Sequence, residues 1–525
     1  MKKALLFLSA VIFISCSKDF ISDQIEIEPT MPGIELQDQV AVIGEKVPNP
    51  YSLDIMRKAY SNLSETTKGN TSINDIQATH HYVQFEPSSE EELESLYQLK
   101  DVYFYLYPID HEVSEGWITT DPRYSINGFQ HRWAYVPVNT DLTVINCPFE
   151  ILYDIFSPDA GNTTTKSNVV LSETLAESLE QEAYKLCGIE EEPVAYTKAG
   201  GIRPNGKILY YDSFKKEKRG CQGLSVWAVR GTHSAYGHCD SDGNFTCNDT
   251  FKYKWNYHIH YSRTDFLMRE NDSKNEIIYN YKGYKGPLYM EYGSESKAAF
   301  YAAILRAAIK YYYGDIEGLH RPPMEGDKGS AKLAIQAYTD NVDNGGNSGT
   351  FHNNDRFIFS PRPIVTIYRY KESGSLRNHA DIYAATIHEL THASHCRINI
   401  DKYYETDDIV TESLAVGIQW YLTRKEYYSE ENYILNYSRM YYTGIIEDLI
   451  DEYKTRSSKY YGENFDEATI KYQDNVTGYT PLEIEEAAFK SKNWEEWKNN
   501  IINLYPDKKD KDNVYEAFDY WNTGM

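Results

Sequence analysis

Positive charge is scarce in this 525-residue chain: 53 Lys and Arg stand against 78 Asp and Glu, a formal charge of −25. Such a surface repels phosphate backbones, so no nucleic-acid partner is expected. Long apolar runs are missing after the first fourteen residues, which leaves no candidate for a membrane-spanning helix. Phosphate-binding glycine loops, dinucleotide fingerprints and a serine nucleophile elbow are also absent, and the chemistries they carry are set aside. Cysteine is sparse at seven residues, too few for a disulfide-built scaffold of this length. What is plentiful is apolar sequence, 41%, enough for sizeable cores in roughly two to four domains. Tyrosine is plentiful too, 48 residues against 19 Phe and 8 Trp. Tyrosine offers contact area that tolerates water at one end, which suits a recognition surface and equally suits tyrosine-rich strands.

The first residues set the expected compartment. Lys2 and Lys3 precede a short apolar stretch from Ala4 to Ile14, too short to span a bilayer and typical of a secretory signal. The sequence Phe13-Ile14-Ser15-Cys16 resembles a bacterial lipobox, with Phe13 in place of the commoner Leu. Ser17-Lys18-Asp19-Phe20 is similar to the surface-export signals of Bacteroidota lipoproteins. The resemblance implies lipidation at Cys16, an outer-membrane lipid anchor and exposure at the cell surface, with residues 1–15 as signal peptide and 16–50 as tether. Export permits disulfides among the six remaining cysteines. A local Cys239–Cys247 pair and buried free thiols are both compatible with the spacing.

Beyond the tether the chain predicts a multidomain α+β protein. Residues 51–192 read as an α/β module, with strands at Thr79–Phe85 and Val102–Tyr107, a helix capped by Ser88 or Ser89, and a second helix from Ser172 to Cys187 that stops at Gly188. Residues 198–270 carry short strands separated by Gly and Asp turns, the pattern of a small β-sandwich. The turn Asp242-Gly243-Asn244-Phe245 is similar to one that recurs in carboxypeptidase-regulatory-like modules, and the segment is expected to serve as a spacer or binding platform. Residues 275–525 are mainly helical. Ser294 can cap a helix that Gly314 ends, and strands follow at Leu333–Tyr338 and Ile364–Tyr370. The intervening loop with Asp340, Asp343 and Asn344 lacks a regular calcium-ligand spacing and reads as a solvated loop.

The chemistry is concentrated at Ile387-His388-Glu389-Leu390-Thr391-His392-Ala393-Ser394-His395-Cys396, which satisfies the pattern His-Glu-x-x-His. On a helix, residues four apart share a face, so His388 and His392 can point at one metal ion. No Gly or Pro interrupts Ala380 to Cys396. Zinc needs a third protein ligand and an open position. A His ten residues after the first would supply it, but Ile398 stands there. His395 shares the face yet sits about 10 Å along the axis from His388, so it is expected beside the ligands or in a substrate cleft. Glu412 is the better third ligand. It lies in a second helical stretch beside Ile409, Val416 and Trp420, where a bare carboxylate would be costly to bury without a cation.

His388, Glu389 and His392 with Glu412 at this distance resemble the gluzincin class of zinc metallopeptidases, over residues 381–424. The resemblance implies a zincin-like catalytic domain, Zn²⁺ on His388, His392 and Glu412, and Glu389 as general base. The substrate would be a polypeptide. An Asp four residues after the ligand Glu often orients a zinc-bound His in that class; here the position is Val416, so Asp381 or a backbone carbonyl is expected to take the role. His395, His379, Tyr403 and Tyr404 are eligible to stabilise the transition state, and the strand Ile364–Tyr370 is eligible to pair with an extended substrate. The alternative is a non-enzymatic surface protein, an adhesin or glycan-binding component, that keeps such a fold. A further possibility is that the N-terminal module inhibits the site, through Cys147 or Cys187.

Overall fold

The computed structural model describes residues 38–158, 171–189, 201–284, 286–325, 332–342, 347–352, 362–428, 441–450, 475–508 and 511–522. Cys16, the expected signal peptide and most of the tether lie outside the described residues, as do Asp343 and Asn344. The chain is mixed α+β, and its described residues belong to one compact unit. No helix among them is long and apolar enough to cross a membrane.

The N-terminal region is built on a three-stranded antiparallel sheet with His80–Phe85 between Arg132–Pro137 and Phe149–Ile155. Side chains alternate across a strand, so Tyr82 enters one core while Val83 and Phe85 enter another. Helices Leu53–Asn62 and Glu173–Leu186 bury Met56, Ala59, Leu175 and Leu179 on the first side. Helix Glu90–Leu96 covers the other, with Ser89 accepting a hydrogen bond from Glu92 N. The expected strand at Val102–Tyr107 is not formed; one bridge, Tyr105 to Trp133, is all that remains. Side chains order this segment instead. Tyr103 and Tyr107, two pleats apart, hydrogen-bond opposite ring nitrogens of His258 at 2.5 and 2.7 Å.

Two sheets follow. One is antiparallel and five-stranded, in the order His233–His238, Ser225–Arg230, Trp255–His260, Ile278–Tyr284, Gly116–Trp117. In the other, Asn205–Asp212 pairs with Glu217–Gly220 and Asn244–Thr246, and in parallel with Leu288–Tyr292. Sheet pairing thus runs past residue 270 and draws Gly116–Trp117 from the N-terminal region, because Ile278–Tyr284 supplies the next edge for Trp255–His260. None of the six cysteines from Cys147 onward forms a disulfide, and Cys239 and Cys247 are buried as separate thiols.

A third sheet and three helices frame the candidate site. Its strands are β1 (Phe266–Glu270), β2 (Leu333–Tyr338), β3 (Gly349–His352) and β4 (Ile364–Tyr368), in the order β1-β2-β4-β3. The first three in that order are parallel and β3 is antiparallel to β4. β2 and β4 are buried on both faces, which explains their near-continuous apolar sequence. β4 is therefore an interior strand, and the edge expected at Ile364–Tyr370 belongs to β3. The alanine-rich helix α1 (Lys297–Tyr313) is buried along most of its surface, Arg306, Lys310 and Tyr313 marking its more open side; its cap is Ser296 rather than Ser294, and Gly314 ends it. Helices α2 (His379–Ile398) and α3 (Asp408–Tyr427) pack together, and α1 packs against α2. Behind them, Trp494 and Trp497 are buried, whereas Leu504 is exposed.

Glu90 fastens the N-terminal region to this sheet. Its carboxylate accepts from Arg269 at the end of β1 (2.9 Å) and from Arg362 just before β4 (3.0 Å). Both arginines are 1% exposed, so three charges are shared in a dry junction.

Candidate metal centre

Helix α2 starts where Asn378 accepts a hydrogen bond from Asp381 N, and it runs unbroken through the His-Glu-x-x-His residues. Thr386 and Thr391 donate their hydroxyls to the carbonyls of Ile382 and Ile387, so these polar groups are satisfied inside the buried helix. The one-turn spacing brings His388 Nε2 and His392 Nε2 to 3.2 Å. Helix α3 crosses alongside and delivers Glu412 Oε2 to 3.2 Å from His388 Nε2 and 3.5 Å from His392 Nε2. Gly417 lets the helix Ile445–Ile450 lie close to α3, since a Cβ there would meet Ile446 side-chain atoms at 2.4 Å.

His388, His392 and Glu412 form the only group of three or more metal-type ligands found among the described residues, and this group could hold a metal ion. The spacing is chemically specific. Tetrahedral bonds of ~2.0–2.1 Å place neighbouring ligand atoms about 3.3–3.4 Å apart, close to the three separations seen here. The protonation pattern agrees. His388 Nδ1 faces Gln419 Oε1 at 3.0 Å; an Nδ1–H donated to that oxygen leaves the Nε2 lone pair for a cation. Burial disfavours the Glu412 carboxylate, but the hydrogen bonds and charges of His388 and His392 outweigh it and hold the group below the usual carboxylate range.

Glu389, next to His388 on α2, is 6% exposed. Burial, opposed by His388 and reinforced by the Glu412 charge, pushes its carboxyl up to about 7. It lies against β3. A Cβ at Gly349 would come within 2.7 Å of Glu389 Cγ and 3.0 Å of Thr366 O, so only glycine lets the edge strand approach this closely. Two tyrosines flank the centre. Tyr403 meets the His392 ring edge-on at 6.3 Å between centroids, and Tyr442 lies 6.2 Å from the His388 ring. Burial first, and the Glu412 and Glu389 charges next, push the Tyr442 phenol up to about 12, so it stays a donor at neutral pH.

This geometry corrects the expectations for Asp381 and His379 and places His395 in a ring stack. Asp381 does not orient a ligand histidine: it sits in the first turn of α2, two turns before His388, where it accepts from Asn378 Nδ2 and pairs with Lys371. Gln419, not Asp381, faces His388 Nδ1. His395 makes no hydrogen bond to a ligand; its ring stacks on Phe489 at 4.4 Å and meets Tyr403 edge-on, and neither ring nitrogen has a partner among the described residues. His379 accepts from Ser213 N at the start of α2, far along the helix from the ligands. Gln419 was legible in principle, because it lies seven residues, two helical turns, after Glu412 on the same face of α3. Nothing in sequence pattern marks Tyr442, which follows a stretch outside the described residues.

No protein-family model matches the chain, and no curated protein shows significant similarity to it.

Proposed function

We propose that this protein is a zinc-dependent endopeptidase of gluzincin type, with the mainly helical region from residue 275 onward as a zincin-like catalytic domain. The observation that carries the reading is the near-equilateral triangle of His388 Nε2, His392 Nε2 and Glu412 Oε2, with sides of 3.2 to 3.5 Å, beside a buried glutamate. Zn²⁺ bound there supplies Lewis acidity, which lowers the pKa of water and polarises a carbonyl.

The chain's own residues would do the rest. Glu389, with a carboxyl near 7, takes the proton from the attacking water and passes it to the leaving amine. Gln419 keeps the His388 ring in the tautomer that presents Nε2. Tyr403 and Tyr442 offer protonated hydroxyls on either side for charge developing on the carbonyl oxygen. Edge strand β3, antiparallel to β4 and against Glu389, offers main-chain pairing to an extended polypeptide. For location, Lys2, Lys3, the apolar stretch and Cys16 support a lipid-anchored, surface-exposed outer-membrane protein. The regulatory-like module remains part of the proposal for residues 198–270.

The test is cleavage of a mixed peptide library by the purified protein, with and without a chelator. Cleavage that stops on chelation, returns with Zn²⁺ and is lost in Glu389→Gln supports the reading. Metal-loaded protein that cleaves no peptide at any pH between 5 and 9 overturns it.

A further inference from the structure

Away from the metal centre, a cleft of about 310 Å³ opens between the N-terminal region and the five-stranded sheet. None of its lining residues belongs to the candidate metal site. Its volume is at the small end of the usual ~300–1,000 Å³ for small-molecule sites. Tyr105, Tyr107 and Tyr184 are among its walls and supply aromatic edges and faces, while Trp255 also lines it at 1% exposure.

The charged lining is one-sided. On a chain of formal charge −25, the cleft is lined by Arg230, Lys254 and Lys282 and by no Asp or Glu. Arg230 is already engaged: its Nε lies 3.1 Å from Glu180 Oε1, and its guanidinium covers the Tyr184 ring at 4.4 Å. The Lys254 and Lys282 ammonium groups have no ion-pair partner among the described residues. Asn256 spends its Oδ1 on Gly283 N at 2.8 Å, which leaves the amide NH₂ as a donor without a described partner. The cleft therefore offers hydrogen-bond donors and positive charge next to flat aromatic surface. An occupant that matches has acceptor oxygens, one negative charge and a ring face carrying C–H groups.

We propose that this cleft binds a pyranose bearing a carboxylate, with the sugar face on the tyrosines, ring oxygens on the Asn256 amide, and the carboxylate on Lys254 and Lys282. Such a site would tether the protein to acidic polysaccharide independently of any chemistry at His388, His392 and Glu412. A neutral sugar would forgo both charge-assisted contacts, which are about twice as strong as neutral ones.

The test is calorimetric titration of the full chain with galacturonic acid and its dimer, and with galactose as the uncharged counterpart. The uronates bind, galactose binds at least about tenfold more weakly, and added salt weakens the uronate complex. Lys254→Gln with Lys282→Gln reduces uronate affinity about tenfold or more, and exposed Lys282→Gln alone reduces it by a smaller factor. Glu389→Gln leaves uronate binding unchanged, which separates this site from the metal centre. The proposal is overturned if no uronate binds up to about 10 mM. It is equally overturned if galactose matches the uronates, or if a nucleotide or acidic peptide binds more tightly through the same lysines.

Discussion

Replacing Glu90 by Gln should remove the charge that neutralises Arg269 and shares Arg362 with Glu94. Burial opposes the Glu90 carboxylate, yet the hydrogen bond and charge of Arg269, then Arg362, bring its pKa from 4.5 to about 2. That fall corresponds to ~3 kcal/mol of stabilisation by the ionised form. The same figure follows from removing one partner of a buried ion pair, ~3–5 kcal/mol. Because the folded-state pKa is depressed, the contribution is fully present above about 4.5 and is lost as pH falls toward 2. Urea unfolding at pH 7 should therefore show the variant destabilised by about 3 kcal/mol. The gap between variant and wild type should close as pH drops from about 5 to 2.5. A loss below ~1 kcal/mol at pH 7, or a gap that does not narrow in acid, would refute the reasoning.

Three further outcomes follow from the site. Glu389→Gln should lower peptidase turnover by ~10²–10⁴-fold while metal content, read by elemental analysis, stays unchanged. Gln419→Ala frees the His388 ring to adopt the wrong tautomer, and competition with a chelator should show ~10–100-fold weaker metal binding. Gly349→Ala puts a methyl 2.7 Å from Glu389 Cγ, so activity should fall with metal retained; full activity would mean that β3 does not need its close approach.

The two histidines of the candidate metal-binding group were legible because a helix converts sequence spacing into geometry: four residues are one turn, so His388 and His392 had to converge. Glu412 was legible on different grounds, as an acid on an otherwise apolar helical stripe that needed a reason to be there. Strands Thr79–Phe85, Leu333–Tyr338 and Ile364–Tyr370 were readable from their apolar content, each within two residues of its observed bounds. Pairing was not. Which strand forms an edge depends on contacts between residues far apart, and Gly349–His352 carries no strand signature of its own. The Val102–Tyr107 segment had the composition of a strand, but its tyrosines found His258 before its backbone found a ladder. Asp381 failed as an orienting group because helical position along the axis, not merely presence on the same helix, decides which ring it can reach.

The most direct test of the central claim is the metal content of the purified chain, measured by elemental mass spectrometry beside single variants of each ligand. The expected result is about one zinc per chain, reduced to background in His388→Ala, His392→Ala and Glu412→Ala with the fold intact by circular dichroism. Wild-type protein that takes up no divalent ion, or a Glu412→Ala variant that keeps a full complement, would contradict it.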